Sequence, residues 1–204
     1  PDIIGFDSGA ALGAVAVVVI GGVGGYTVAG GAIAGGLVTA LIVLGLAWRR
    51  PLAPLRLVLV GIGVGVVCSA LTSFLLSRGD IWEASAAQAW LTGSLNARTW
   101  TQALVAGIGA ALLVPLALLT KSALDQVELG DDLAAALGIR VDRARLLAGL
   151  VAVLLAALAV GVAGPLPFVA LVAAPIARRL SGLSGPDLVT AGLIGALLVL
   201  LADL

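Results

Sequence analysis

The chain has 204 residues, 61% of them hydrophobic and only 11% charged, with a mean hydropathy of +1.22 and a formal net charge of zero. An ordinary globular domain carries about 25% charged residues, and a soluble fold of this size has too little interior to hide so much apolar surface. A neutral chain with no basic stripe excludes phosphate-driven binding, so no nucleic-acid partner is expected; with no histidine, the commonest metal ligand and an imidazole base are also missing.

Charged residues are absent from four long runs: Ser8 to Trp48, Leu57 to Ser77, Thr99 to Thr120 and Leu146 to Ala177. Each matches or exceeds the ~20 apolar residues that carry a helix across ~30 Å of hydrocarbon. The chain therefore reads as an all-α polytopic membrane protein with about seven transmembrane helices. Spans are expected near 9–25, 29–48, 57–77, 100–120, 145–163, 167–179 and 187–203.

The first run is long enough for two helices, and the glycine cluster Gly21, Gly22, Gly24 and Gly25 is the natural place to turn between them. Gly21/Gly25, Gly31/Gly35 and Gly61/Gly65 are GxxxG pairs, a spacing that lets helix backbones approach closely in lipid. Within the second run, Cys68 is expected as a small packed hydrophobe. Ser69, Thr72 and Ser73 are expected to bond to their own helix backbone. Asp80 to Leu91 is expected as a short helix along the outer surface, with Trp82 and Trp90 turned inward and the tryptophans acting as interfacial anchors.

The segment from Ser122 to Arg143 differs in kind. Gly130 breaks it, Asp131 is placed to cap a second helix, and Gly138 to end that helix in a left-handed conformation. Leu133 and Leu137 then share one face. Two short helices outside the membrane are expected, with an apolar face that suits docking of another protein; most helix connections run only about 2–8 residues. The run from Leu146 to Ala177 is too short for two full spans, yet chain parity demands two crossings. Pro165, Pro167 and Pro175 crowd its second half. A broken helix against a translocation path and a tight hairpin at the outer interface both fit this pattern.

Orientation follows from the basic residues. Alternate connections hold Arg49, Arg50 and Arg56, then Lys121, Arg140, Arg143 and Arg145, then Arg178 and Arg179; the others hold only Arg78 and Arg98. Lys and Arg concentrate in cytoplasmic loops, so the first group faces the cytoplasm and the last two face outward. The absence of Met at position 1, of any signal peptide, and of a polar end beyond Leu204 reads as an internal piece of a longer protein.

Several stretches resemble FecCD-type permeases, the membrane subunits of ABC importers for iron–siderophores, haem and cobalamin. VELGDDLAAALGI (Val127 to Ile139) is similar to the family's ATPase-contacting loop. PDIIGFDSGAALGA (Pro1 to Ala14) resembles the approach to its third helix, and RLVLVGIGV (Arg56 to Val64) the start of its fifth. WLTGSLNARTW (Trp90 to Trp100) resembles its outward loop, and AGPLPFVALVAAPIARRLSG (Ala163 to Gly182) its signature after the seventh helix. The matches run in order over the whole chain, with wording closest to ferric-enterobactin-type permeases. One departure is that the family usually has Pro followed by His or Gln where this chain has Ala174 and Pro175.

The resemblance implies a single permease domain over 1–204, part of a roughly ten-helix protein with about two further helices before Pro1 and one after Leu204. It implies a cytoplasmic coupling loop at 122–144, in which Leu129, Gly130, Asp131, Asp132, Leu133, Leu137 and Gly138 meet the ATPase. Expected partners are a second permease subunit, identical or related, two cytoplasmic ATPase subunits, an extracytoplasmic substrate-binding protein and the lipid of a bacterial plasma membrane. Arg78 and Arg98 are expected to dock the binding protein, and Gly164, Pro165, Pro167 and Pro175 to lie near the translocation path. No cofactor is expected on this chain, and ATP with magnesium belongs to the partner ATPase.

Import of a ferric siderophore is the expected function, with haem or cobalamin as alternative cargo. No GxxxxGK followed by Ser or Thr occurs, as suits a chain that leaves ATP to another subunit. An ion-coupled secondary transporter would need paired ionisable groups at depth; only Asp203 and Asp187 come near. An intramembrane enzyme would need a nucleophile–base pair or a metal cluster, and none is evident.

Overall fold

The computed structural model describes residues 5–21, 25–47, 54–95, 99–166, 168–182 and 187–203. The described residues form helices joined by short connections, with no strand among them. In chain order the helices are α1 (Phe6–Gly21), α2 (Gly25–Ala47), α3 (Pro54–Arg78), α4 (Ile81–Leu91), α5 (Trp100–Glu128), α6 (Asp131–Ala136), α7 (Val141–Ala163), α8 (Val169–Ser181) and α9 (Leu188–Ala202).

Each of the seven expected spans has its helix: α1, α2, α3, α5, α7, α8 and α9. By length and hydropathy, however, only Thr27–Ala47, Leu55–Arg78, Trp100–Glu128 and Val141–Ala163 reach crossing size among the described residues. Helices α1 and α9 are apolar but have 16 and 15 residues. Helix α8 has 13 residues, which at ~1.5 Å per residue gives about 20 Å, well short of ~30 Å of hydrocarbon.

The chain divides into two compact units. One comprises Pro1–Gly107 with Ala156–Leu166, the other Ile108–Leu155 with Pro167–Leu204.

In the first unit α1 is the hub, packed against α2, α3 and α4. Its buried face carries Phe6, Ala10, Ala14, Val15 and Val18, and meets Val28, Ala32, Ala40 and Val43 of the α2 core. The α1–α2 pair is antiparallel, because Gly9 lies against Thr39 and Gly35 while Gly13 and Val17 lie against Gly31. A Cβ added at Gly35 would sit 2.9 Å from Gly13 Cα, and one at Gly36 would sit 2.6 Å from the Phe6 ring. Of the expected glycine pairs, Gly31/Gly35 and Gly61/Gly65 lie at close helix contacts, the latter against Gly5. Gly21 has open space around it. The partner of Gly31/Gly35 is a further GxxxG pair, Gly9/Gly13.

Cys68 is buried, and its sulfur lies 3.8 Å from the hydroxyl of buried Thr39. Thr72 donates to the Cys68 carbonyl at 2.9 Å and Ser73 to that of Ser69 at 3.1 Å. Helix α4 packs through buried Ala87, whereas Trp82 is 87% exposed and Trp90 half-buried. So Trp82 turns away from the protein body.

The connection after α4 is pinned to the end of α7. The Ser94 amide donates to the Ala163 carbonyl at 2.9 Å. Gly93 lies beneath the Pro165 carbonyl, and a Cβ on Gly164 would sit 3.1 Å from the Trp90 carbonyl. Gly164 and Pro165 thus form a buried turn at a helix end.

In the second unit α8 packs on α9, with Ala173 of α8 against Gly195. Helix α5 runs unbroken to Glu128, so the first of the two short helices expected after Ser122 is the end of α5. Residues Lys121 to Glu128 contain good helix formers and no Gly or Pro, so nothing stops the helix before Gly130.

Candidate coupling turn and outward face

The turn between α5 and α7 is built around a six-residue helix held between two glycines. Gly130 is the N-cap of α6 at φ 108°, ψ 149°, a region essentially restricted to glycine. No side chain caps the helix, so Asp131 is its first residue and not its cap. The C-terminus closes as a Schellman motif: the Gly138 amide bonds to the Ala135 carbonyl and that of Ile139 to Ala134, each at 3.0 Å. Gly138 takes φ 86°, the left-handed value expected for it.

Asp131 is occupied elsewhere. Arg145, one turn into α7, donates from Nη2 to Asp131 Oδ1 at 2.8 Å and from Nη1 to Oδ2 at 3.0 Å. This fork-to-carboxylate pairing fixes orientation as well as distance. A second, looser pair joins Glu128 at the end of α5 to Arg178 of α8 at 3.6 Å.

Ala134 is fully buried and seats the inner side of α6. On the outer side Leu129, Leu133 and Leu137 are 62%, 60% and 63% exposed. Leu133 stands on α6 itself, Leu137 is its C-cap, and Leu129 precedes the Gly130 N-cap. Asp132 is exposed beside them. These exposed leucines at the foot of long apolar helices can be buried only against another surface.

Asp187 caps α9. Hydrogen bonds from the Thr190 hydroxyl and amide, the latter reaching Oδ1 at 3.2 Å, hold its carboxyl below the ordinary 3.8. Asp203 is the exposed C-cap of the same helix. Both carboxylates considered for ion coupling are thereby placed at helix ends. Among the described residues no cluster of His, Cys, Asp or Glu could hold a metal ion.

Arg78, expected to face outward, ends α3 with its guanidinium carbon 5.2 Å from the Phe74 ring centroid, a cation–π stack on its own helix. Arg98 and Pro167 lie outside the described residues. Pro175 is inside α8 and exposed. A cavity of about 310 Å³ opens in the first unit, walled by Ile33, Trp90, Thr101, Gln102, Val105 and Leu158 among others. Gln102 is also the acceptor for the Thr99 amide at 3.0 Å, which begins α5.

Sequence reasoning missed the partner of Asp131, the Glu128–Arg178 pair and the Gly93–Pro165 contact. Only the first had a usable signal: an Arg in the first turns of the next long helix, facing back toward an acid just after Gly130.

The chain matches the FecCD transport family over residues 1–204. It is 44% identical over 205 residues to the ferric enterobactin transport system permease protein FepG of Escherichia coli, a match covering all of this chain and 62% of that protein. It is 36% identical over 207 residues to the Fe(3+)-citrate import system permease protein YfmE of Bacillus subtilis, covering 61% of that relative. Among solved structures, a metal-chelate type ABC transporter in an inward-facing conformation superposes with a TM-score of 0.88 at 27% identity, covering 98% of this chain and 65% of that one. This chain thus spans a little over three-fifths of the curated relatives it matches first, and with all of its length inside the family match it belongs to the FecCD transport family.

Proposed function

We propose that this chain is the membrane-spanning part of a permease subunit in an ATP-driven importer that passes a ferric siderophore from an extracytoplasmic binding protein to the cytoplasm. The observation that carries the proposal is the exposed leucines Leu129, Leu133 and Leu137 on and beside a short helix clamped to α7. A permease that hydrolyses no ATP itself must receive force from an ATPase, and this turn offers an apolar seat on a stiff mount. Two ATPase subunits carrying ATP and magnesium and a second permease subunit complete the assembly. The ferric cargo is supported by relatives whose names specify ferric enterobactin and Fe(3+)-citrate.

Gly164 and Pro165, with Pro167 and Pro175 beyond, are assigned to the vicinity of the translocation path. The broken helix ladder and the short α8 support that assignment, since such backbone survives in a membrane only against protein or a water-filled cavity.

The test is uptake of iron-radiolabelled ferric enterobactin by the full-length permease expressed with its ATPase and binding protein. Leu133→Asp places a charge in the contact, at a cost far above that of a surface change. Uptake should be lost while the permease still inserts in the membrane. Wild-type uptake by the Leu133→Asp variant would remove the turn from the coupling role.

A further inference from the structure

Helix α6 cannot hold its own orientation. Six residues form fewer than two turns, far below the length at which a helix is stable alone. It hangs between Gly130 and Gly138, both at positive φ, the residues best able to act as pivots. No side chain caps it. Two features tie it down: the buried Ala134, which fixes its seat, and the two-pronged bond from Asp131 to Arg145, which fixes its direction.

We propose that Arg145 is the positioning residue that makes α6 and α7 move as one piece, so that displacement of the exposed leucines of this turn is passed into the membrane along α7. The proposal rests on the coupling function given above and names the residue that transmits it. Arg145 lies within a helix that continues without interruption to Ala163. Its side chain is 23% exposed and that of Asp131 50%, so what distinguishes the pair is its two-pronged geometry, which fixes an angle as well as a distance. In the second pair Arg178 and Glu128 have side chains 61% and 39% exposed and a separation of 3.6 Å, with no second bond to fix an angle. Exposed pairs of that kind contribute little. Of these two links, the Asp131–Arg145 fork is the stiff one, and it leads to α7.

The experiment uses the full-length permease with its ATPase and binding protein in proteoliposomes, and reads ferric enterobactin imported per ATP hydrolysed. Arg145→Ala should leave the ATPase attached and hydrolysing while import per ATP falls about tenfold, within the range of measured site-to-site couplings. Arg145→Lys keeps the charge but loses the fork, and should fall between wild type and Arg145→Ala. The exchange Asp131→Arg with Arg145→Asp should restore much of the lost ratio, a rescue that a merely structural charge would not give. Wild-type import per ATP in Arg145→Ala would overturn the proposal, as would a loss of import in step with loss of bound ATPase. If Leu133→Asp abolishes uptake and Arg145→Ala does not alter it, only the role of Arg145 fails. If Leu133→Asp transports normally, the coupling function itself fails, and this proposal with it.

Discussion

Single residues set how closely the first two helices approach. Gly13, Gly31 and Gly35 leave so little space that the backbone of one helix occupies the side-chain position of the other. Overpacking a filled contact typically costs about 1–3 kcal/mol. Gly35→Ala should therefore lower the melting temperature of the detergent-solubilised permease, whereas Gly45→Ala should leave it unchanged or raise it slightly. Gly45 has open space around it and lies in the same helix, where alanine is the better helix former. An equal melting temperature for Gly35→Ala and wild type would show that α1 and α2 can separate freely. Asp187 contributes differently. Its folded pKa lies below the ordinary 3.8, chiefly through the Thr190 bonds, so the ionised cap favours the folded form. That contribution is present above pH 3.8 and is lost as pH falls through the depressed folded value. Unfolding of wild type at acid pH should show this loss, and Asp187→Ala should remove that part of the pH dependence.

At the scale of elements, the turn around α6 shows what the sequence could and could not reveal. Gly130 and Gly138 were legible as a start and a stop because glycine is the residue that a backbone at φ 108° and 86° requires. Gly138→Ala should cost ~1 kcal/mol in the left-handed position, and amide exchange at Leu137 and Ile139 should rise about fivefold. Unchanged exchange there would mean that the Schellman closure does not hold the turn. The cap differs from the sequence expectation for a physical reason. Asp131 had two possible employments, the α6 amides or a distant cation, and only the fold brings Arg145 within 2.8 Å. Likewise Lys121 to Glu128 looks like a separate helix because its polarity changes. Polarity does not end a helix, and with no Gly or Pro between Lys121 and Glu128 α5 simply continues out past its apolar part. The four long apolar runs, by contrast, fall on α1, α2, α3, α5, α7 and α8, because a membrane writes its demand directly into composition. The short α8 was foreshadowed by its prolines, but its exposed Pro175 was not, since which face of a helix meets protein depends on neighbours far away in sequence.

For the whole molecule, the asymmetry of charge and the exposure of large apolar side chains have one explanation. Leu41, Leu59, Val66, Leu112, Leu119 and Leu193 are each more than half exposed, as suits surfaces that face lipid or partner helices. In a background of Cys68→Ser, a membrane-impermeant thiol reagent added outside should modify Ser85→Cys on α4 but not Ser122→Cys near the end of α5. Outside labelling of Ser122→Cys would invert the whole topology. With that orientation Arg78 and Arg98 are the outward basic residues, and they differ in employment. Arg78 stacks on Phe74, an arrangement that holds its charge close to its own helix. Arg98, in the connection between α4 and α5, is the better candidate to attract an acidic binding protein. A charge at the rim of a contact mainly speeds encounter and makes the rate sensitive to salt. At about 0.01 M salt the screening length is ~30 Å and the attraction is felt before contact, whereas at about 0.15 M it is ~8 Å. Arg98→Glu should therefore slow association of the substrate-loaded binding protein strongly at low salt and only weakly at physiological salt, while Arg78→Glu has the smaller effect at both. Equal association rates for wild type and Arg98→Glu at low salt would remove Arg98 from the docking surface.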